Sequence, residues 1–429
     1  MPGLLRALSM NTVLHDPIRM ATRSSRNGTV TPPPPPRVRK TLEFFSGIGG
    51  LHYALQRSGV PHEVVRSYDL DDAAVRTYRH NMPSTSVSTA NLISLKWSEL
   101  VTLGADCWLL SPPCQPYTRQ GLHLGEADGR SSALTHIVDL LEHNGDEDEI
   151  AEASSGAAQQ LLPDSLLLEN VVGFESSPMR QRLHKVLVGR GFHVREVWAS
   201  PAHFGVPNQR TRYFLLASRT GELDRPPPAV IAPLLLDPGL LAAACLSGTP
   251  LEPPRGEVGA EMQLGCAPLS DYLLPAALPA ARADSAADAP SGAGDGAGGG
   301  EAAAASTAVA EHVLERYGAA MDLVGRASRR SLCFTKNYSR YIKGTGSVVC
   351  DGLAEGQALP ADDKSLEALR PLRPRFFAPR EVANLHGFPA AFGFPPSVGR
   401  KKQYELLGNS LSVQVVAHLL RYLLGEEMG

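Results

Sequence analysis

The stretch Thr41-Leu42-Glu43-Phe44-Phe45-Ser46-Gly47-Ile48-Gly49-Gly50 runs into Leu51-His52-Tyr53-Ala54-Leu55 and closes at Gly59. An apolar run, a glycine-rich turn and apolar residues at helical spacing follow one another. The pattern predicts a strand over Thr41–Phe45 and a helix that stops at Gly59 as its C-cap. Glycines placed directly after a strand let the backbone turn tightly and approach a ligand with no Cβ in the way. A second unit repeats the pattern. Glu63–Tyr68 reads as a strand, Asp71 as an N-cap, and a helix through Val75 and Tyr78 stops before Pro83. Further strands are expected at Cys107–Leu110, Leu166–Leu168, His193–Trp198 and Tyr213–Ala217. Strands alternating with helices predict an α/β fold with a doubly wound, parallel sheet.

In such sheets ligands sit beyond the carboxyl ends of the strands. Asp69 stands at the end of the second predicted strand, about 20 residues past the first glycine, where a carboxylate can accept bonds from ribose hydroxyls. The dinucleotide fingerprint asks for a third glycine where this chain has His52. That disfavours a nicotinamide dinucleotide and leaves S-adenosylmethionine, which has a ribose but no pyrophosphate. The plain alternative is a tight turn with no ligand.

The 429 residues are 43% hydrophobic, enough for a sizeable core, and the formal charge of −3 advertises no polyanion partner, so any basic site must be local. No apolar run reaches the roughly 20 residues of a membrane span. The six cysteines form no C-x-x-C pair, which argues against a zinc module, a disulfide framework or a metal site and for a reducing compartment. Residues 1–37 are Arg-bearing and acid-poor with a proline run, and read as a disordered or organelle-targeting extension. Residues 143–160 read as an acidic, then Ala-rich insert. Residues 222–308 read as a low-complexity linker, because a Gly/Ala-rich chain buries too little apolar surface to offset its ordering entropy.

Three segments carry chemistry. Ser111-Pro112-Pro113-Cys114-Gln115-Pro116 puts a thiol on a proline-stiffened loop past a strand end, a setting for a preorganised nucleophile. Leu168-Glu169-Asn170-Val171 ends a strand in a carboxylate that is costly to bury without a partner. Gln209-Arg210-Thr211-Arg212 places two arginines at alternating positions before a strand, so that both point the same way. Each has a bland counterpart: a small buried thiol, an ion-paired structural carboxylate and a solvated edge.

In this order, Phe44-Phe45-Ser46-Gly47-Ile48-Gly49-Gly50, Ser111 to Pro116, Glu169-Asn170-Val171, Gln209 to Arg212 and Leu407-Gly408-Asn409-Ser410 resemble the cytosine-C5 methyltransferase superfamily. Cys333-Phe334-Thr335-Lys336-Asn337-Tyr338 resembles the target-recognition signature of its type-two branch, which acts on cytosine-38 of tRNA-Asp. Tyr117 stands where that family usually has Phe. The resemblance implies a Rossmann-like, S-adenosylmethionine-dependent methyltransferase sheet over 38–221, a target-recognition domain over 309–375 and a C-terminal part, 376–429, that completes the catalytic domain. It implies that Cys114 attacks C6 of the target cytosine, that Glu169 bonds N3 and the amine, that Arg212 contacts the base and that Arg210 supports the site. It assigns the cofactor to Phe45, Ser46, Gly47, Ile48, Gly49, Gly50, Asp69, Leu70, Leu92, Ser111, Asn409 and Ser410. It assigns the substrate to Cys333, Thr335, Lys336, Tyr338 and Arg340.

The run Leu323–Cys350 has no acid, yet carries Arg326, Arg329, Arg330, Lys336, Arg340 and Lys343 interleaved with Phe334, Tyr338 and Tyr341. Basic groups with stacking aromatics fit a folded RNA, and Arg370, Arg373, Arg375 and Arg380 are expected to extend that surface. The last helix, with Val413, Val416, Leu420 and Leu423 on one face, is expected to pack beside the first strand–helix unit and bring Asn409 and Ser410 to the cofactor. The resulting expectation is a monomeric tRNA methyltransferase of cytoplasm and nucleus with no membrane partner. A DNA cytosine-C5 methyltransferase and a catalytically silent nucleic-acid-binding relative remain as alternatives.

Overall fold

The computed structural model describes residues 36–113, 132–143, 162–220, 223, 265–275, 307–354, 356–360 and 363–425. Cys114 and Tyr117 lie outside the described residues, as do the terminal extension up to residue 35 and nearly all of the insert at 143–160.

The body from Val38 onward is organised by a seven-stranded sheet in the order β3-β2-β1-β4-β5-β7-β6. Its strands are β1 (Arg39–Phe44), β2 (His62–Tyr68), β3 (Val87–Ser88), β4 (Cys107–Leu110), β5 (Ser165–Val171), β6 (His193–Ala199) and β7 (Arg212–Ser218). Helices α1 (Gly50–Ser58), α2 (Asp72–Asn81), α3 (Trp97–Thr102), α4 (Ser132–His143) and α5 (Pro178–Gly189) connect them. Strands β3, β2, β1, β4 and β5 run parallel, whereas β7 is antiparallel to both β5 and β6. The doubly wound, parallel-rich sheet is the one expected, with β7 as its antiparallel member. The segment between β6 and β7 holds only the short 3₁₀ turn Pro201–Phe204, and without a crossover helix a returning strand pairs antiparallel.

Both faces of the sheet are buried, and side-chain alternation sorts one strand into two cores. Leu109, Leu167, Phe214 and Leu216 face one cluster with Leu51, Leu55 and Tyr78. Trp108, Leu110, Leu166, Leu168, Tyr213 and Leu215 face the other with Ile137 and Leu183. The sequence-read turns hold. Gly59 caps α1 at φ 76°, and the Asp71 side chain accepts from Ala74 N at the start of α2.

Towards the C-terminus come α6 (Glu311–Tyr317), β8 (Leu323–Val324), β9 (Val348–Cys350), α7 (Leu366–Leu369), β10 (Pro374–Phe376), α8 (Pro379–Leu385), α9 (Arg400–Asn409) and α10 (Val413–Leu424). A small sheet β10-β9-β8 gathers its own apolar cluster of Leu314, Met321, Val348 and Leu372. Helix α10 packs along α1, as its apolar stripe predicted, and Arg421 Nε donates to Ser58 O at 3.1 Å. The linker reading of 222–308 is corrected at two places. Leu223, and Cys266, Leu269 and Leu273 within Gly265–Pro275, are buried, the three leucines in the first core. Three leucines and a thiol within reach of that core outweigh the composition of the surrounding chain.

Candidate active site

A cavity of about 540 Å³ opens at the carboxyl ends of β1, β2, β4 and β5, where an α/β sheet places its ligands. At one end the wall is largely backbone. Phe45 leaves β1 in the left-handed region at φ 59°, and Ser46 N donates to Tyr68 O at 2.9 Å. Asp69 fixes the glycine turn: Oδ2 accepts from Gly47 N at 2.7 Å and Oδ1 from Asp71 N at 2.8 Å. Burial pushes its carboxyl above the usual carboxylate range against those bonds. Ser111 Oγ donates to Phe45 O at 2.9 Å and ties the end of β4 to that turn.

Phe45, Ser46, Gly47, Ile48, Gly50, Asp69, Leu70, Leu92, Ser111, Asn409 and Ser410 all line the cavity. Gly49 stands behind the wall, where it shapes the turn. It caps α1 at φ 87°, and a Cβ there would stand 3.2 Å from the Tyr78 ring. Tyr78 cannot easily yield: its hydroxyl donates to Glu43 Oε2 at 2.7 Å and bonds His52 Nδ1 at 2.8 Å, and burial pushes the Glu43 carboxyl up to about 8. A Cβ on Gly50 would meet Leu411 at 3.1 Å and Ser410 Oγ at 3.2 Å, so a glycine lets the C-terminal segment close onto the turn. Sequence reasoning missed Asn91, Ile93, Asn170 and Leu411 as lining residues. Asn91 and Ile93 flank the predicted Leu92, and Asn170 follows Glu169 in a quoted motif, so neighbouring positions held the only signal.

The other end is built from charge. Glu169, at the end of β5, is 8% exposed, and Arg212 Nε stands 3.4 Å from its Oε1. Burial raises the Glu169 carboxyl above its ordinary range, with Arg212 and Arg210 pulling the other way. Arg210, Arg212 and Lys336 line the same end. Arg210 donates to Phe334 O and Gly408 O, each at 3.0 Å, to Cys333 Sγ at 3.3 Å and to Ser410 O. Cys333 lies behind the two arginines rather than on the wall. Burial pushes its thiol up, but Arg210 and Arg212 outweigh that and hold it below the ordinary range. Cys107, inside β4, is pushed by burial up to about 12 and is a core thiol.

The recognition-segment expectations divide. Tyr338 is 3% exposed; its hydroxyl donates to Ser347 O at 2.6 Å and accepts from Phe377 N at 2.9 Å. It packs edge-on against Phe334, itself 1% exposed. Neither ring faces a substrate, and the stacking role expected of them is corrected to a core role. Thr335 closes a turn, its N–H donating to Thr345 O at 2.9 Å. Arg340 and Tyr341 are exposed, the guanidinium 5.3 Å from the ring centroid. The broad basic surface is also corrected. Arg326 pairs with Asp351 at 3.1 Å, Arg330 with Asp322 at 2.9 Å, Arg370 with Glu311 at 2.8 Å and Arg375 with Glu381 at 2.7 Å. Arg380 is spent on Asn384 Oδ1 and on carbonyls such as Phe392 O. Asp322 and Asp351, just outside the acid-free window, take up two of its six cations, Arg330 and Arg326.

Comparison with known proteins decides the family. The model of the C-5 cytosine-specific DNA methylase family matches residues 39–231 and 312–424. The chain belongs to the C-5 cytosine methyltransferase family. The methyltransferase is 34% identical to the mouse tRNA (cytosine(38)-C(5))-methyltransferase, over 90% of this chain and 93% of that one. It is 31% identical to a DNA (cytosine-5)-methyltransferase of Dictyostelium discoideum, over 90% of this chain and 94% of that one. Among solved structures, the S. pombe Dnmt2 methyltransferase superposes with a TM-score of 0.64 at 26% identity, covering 90% of this chain and 98% of the other.

Proposed function

We propose that this methyltransferase transfers the methyl group of S-adenosylmethionine to C5 of a cytosine in tRNA, with cytosine-38 of the tRNA-Asp anticodon loop as its target. The full-length similarity to a tRNA (cytosine(38)-C(5))-methyltransferase, spanning 93% of the mouse protein, carries the substrate reading. An unpaired loop base is also easier to extrude into a cavity than a duplex one.

The residues present fit the cofactor. The cavity volume suits a nucleoside-sized ligand, Ser46 Oγ is buried without a partner among the described residues, and Asp69 stands at the end of β2 on the cavity wall, within reach of a ribose. Ser46, Asp69, Leu92, Asn409 and Ser410 would hold it. When bound, it supplies an electrophilic methyl group to C5. C5 of cytosine is a weak nucleophile until C6 carries an adduct, and a thiolate is the side chain best able to form one near neutral pH. In this reading Cys114 Sγ bonds to C6, and the ring's electrons move toward N3. Glu169, protonated more readily than an exposed carboxyl, holds the proton at N3 and accepts from the amine. Arg212 keeps the Glu169 carboxyl oriented and contacts the base. The N3 proton returns to Glu169, water takes the C5 proton, and the electrons of that C–H bond re-form the C5–C6 double bond and expel Cys114 as thiolate.

The test is methyl transfer from labelled S-adenosylmethionine. Label is expected in a tRNA-Asp transcript and absent with Cys114→Ala. The Dictyostelium relative favours a second reading, DNA cytosine-C5 methylation. Labelling of duplex DNA with none in tRNA would replace the first reading by the second.

A further inference from the structure

Arg210 is 3% exposed, and among the described residues its hydrogen bonds go to backbone carbonyls and a thiol rather than to a carboxylate. Burying a guanidinium without a bonded carboxylate is unfavourable unless its donors are otherwise satisfied. Here the two Nη atoms find acceptors on two stretches far apart in the chain, while Nε is buried with no partner among the described residues. Nη1 takes Cys333 and Phe334, and Nη2 takes Gly408 and Ser410. The Cys333 stretch is pinned a second time to the segment that carries Arg210. Ser331 Oγ donates to Pro207 O at 2.6 Å, Gln209 N donates to Ser331 O at 2.9 Å, and Asn208 Nδ2 donates to Leu332 O at 3.0 Å.

The two clasped stretches also touch each other directly. A Cβ on Gly408 would stand 2.1 Å from Lys336 N and 2.2 Å from the Thr335 carbonyl carbon. Only glycine allows this backbone-on-backbone contact, and it has no slack. Lys336 lines the charged end of the cavity, while Gly408, Asn409 and Ser410 line it next to the glycine turn. A ligand that settles one stretch therefore settles the other, because close-packed backbones transmit displacement rather than absorb it.

We propose that Arg210 is a positioning residue that locks the stretch Cys333–Lys336, whose Lys336 lines the charged end of the cavity, to the stretch Gly408–Ser410 beside the glycine turn, so that cofactor and RNA each tighten the binding of the other. The inference rests on the function proposed above. Linkage requires the enhancement to be the same in both directions. Arg212, which reaches Glu169, is left to the base, and Arg210 acts through the two stretches that it holds.

The experiment measures binding by the full-length chain of an unmodified tRNA-Asp transcript, with and without saturating S-adenosylhomocysteine, and the reciprocal titration. The wild-type ratio of affinities is expected to be at least about 5 in both directions. Arg210→Lys keeps the charge but loses the planar fork, and the ratio is expected to fall to about 1. Gly408→Ala attacks the same coupling through a different atom and carries the test if Arg210→Lys melts below the assay temperature. Lys343→Gln, on an exposed turn, is expected to weaken RNA binding at most modestly and leave the ratio intact. Two outcomes overturn the inference while the proposed function stands: a wild-type ratio near 1 with both ligands bound, or an undiminished ratio in a folded Arg210→Lys or Gly408→Ala. A wild type that binds neither ligand removes both.

Discussion

The two ends of the cavity are built on different principles. At the Phe45–Gly50 end the wall is backbone. A left-handed turn leaves β1, one carboxylate gathers the N–H groups of Gly47 and Asp71, and Gly50 admits Leu411 and Ser410. At the Glu169 end the wall is side-chain charge, drawn from the end of β5, the start of β7 and a loop more than a hundred residues later. The first end holds its shape through stereochemistry between near neighbours. The second holds its shape only while buried charges find partners. The first should thus be intolerant of added atoms and indifferent to exposed charge, and the second the reverse.

The largest effect is expected at the charged end. Glu169→Gln keeps the volume but removes the carboxyl proton, and kcat is expected to fall by about 10²–10⁴-fold with the melting temperature little changed. A loss under tenfold in single-turnover methyl transfer would mean that the Glu169–Arg212 pair is structural, and the contrast would fail. At the backbone end, Gly49→Ala is the sharper probe. The alanine must hold φ 87° with its Cβ 3.2 Å from a Tyr78 ring anchored by Glu43. Chemical denaturation should register about 1–3 kcal/mol of lost stability, and calorimetry should show weaker S-adenosylhomocysteine binding. An unaltered denaturation midpoint would show that the turn is softer than its geometry indicates. The smallest effect is expected from Lys402→Met, which breaks the half-exposed pair with Asp71 beside that same end. Stability should drop by under about 1 kcal/mol, with cofactor affinity within twofold. A larger change would mean that charge matters at the backbone end as well.

How far the sequence carried the reading differs along the same line. Cys107–Leu110 was legible to the residue, Gly59 and Asp71 marked helix ends where helices end, and the stripe of α10 foretold its packing on α1. Hydrophobic period and cap chemistry act over a few residues, so a linear reading captures them. The antiparallel β7 was not legible, because strand direction depends on what the connection lacks. The roles of Tyr338 and Phe334 were misread because an aromatic between cations looks the same on a surface as in a core. Leu269 and Leu273 were hidden by their low-complexity surroundings.

Neighbouring residues alone determined the glycine turn after β1, the sheet it opens and the candidate chemistry of Cys114 and Glu169, since backbone sterics and burial patterning are short-range. The folded chain decided which charges remain available. Arg326, Arg330 and Arg375 look free in a linear window but meet Asp351, Asp322 and Glu381 in space, while Lys336 is left on the cavity wall. Coulomb attraction falls with distance through space and takes no account of separation along the chain, so only the tertiary structure could assign those partners.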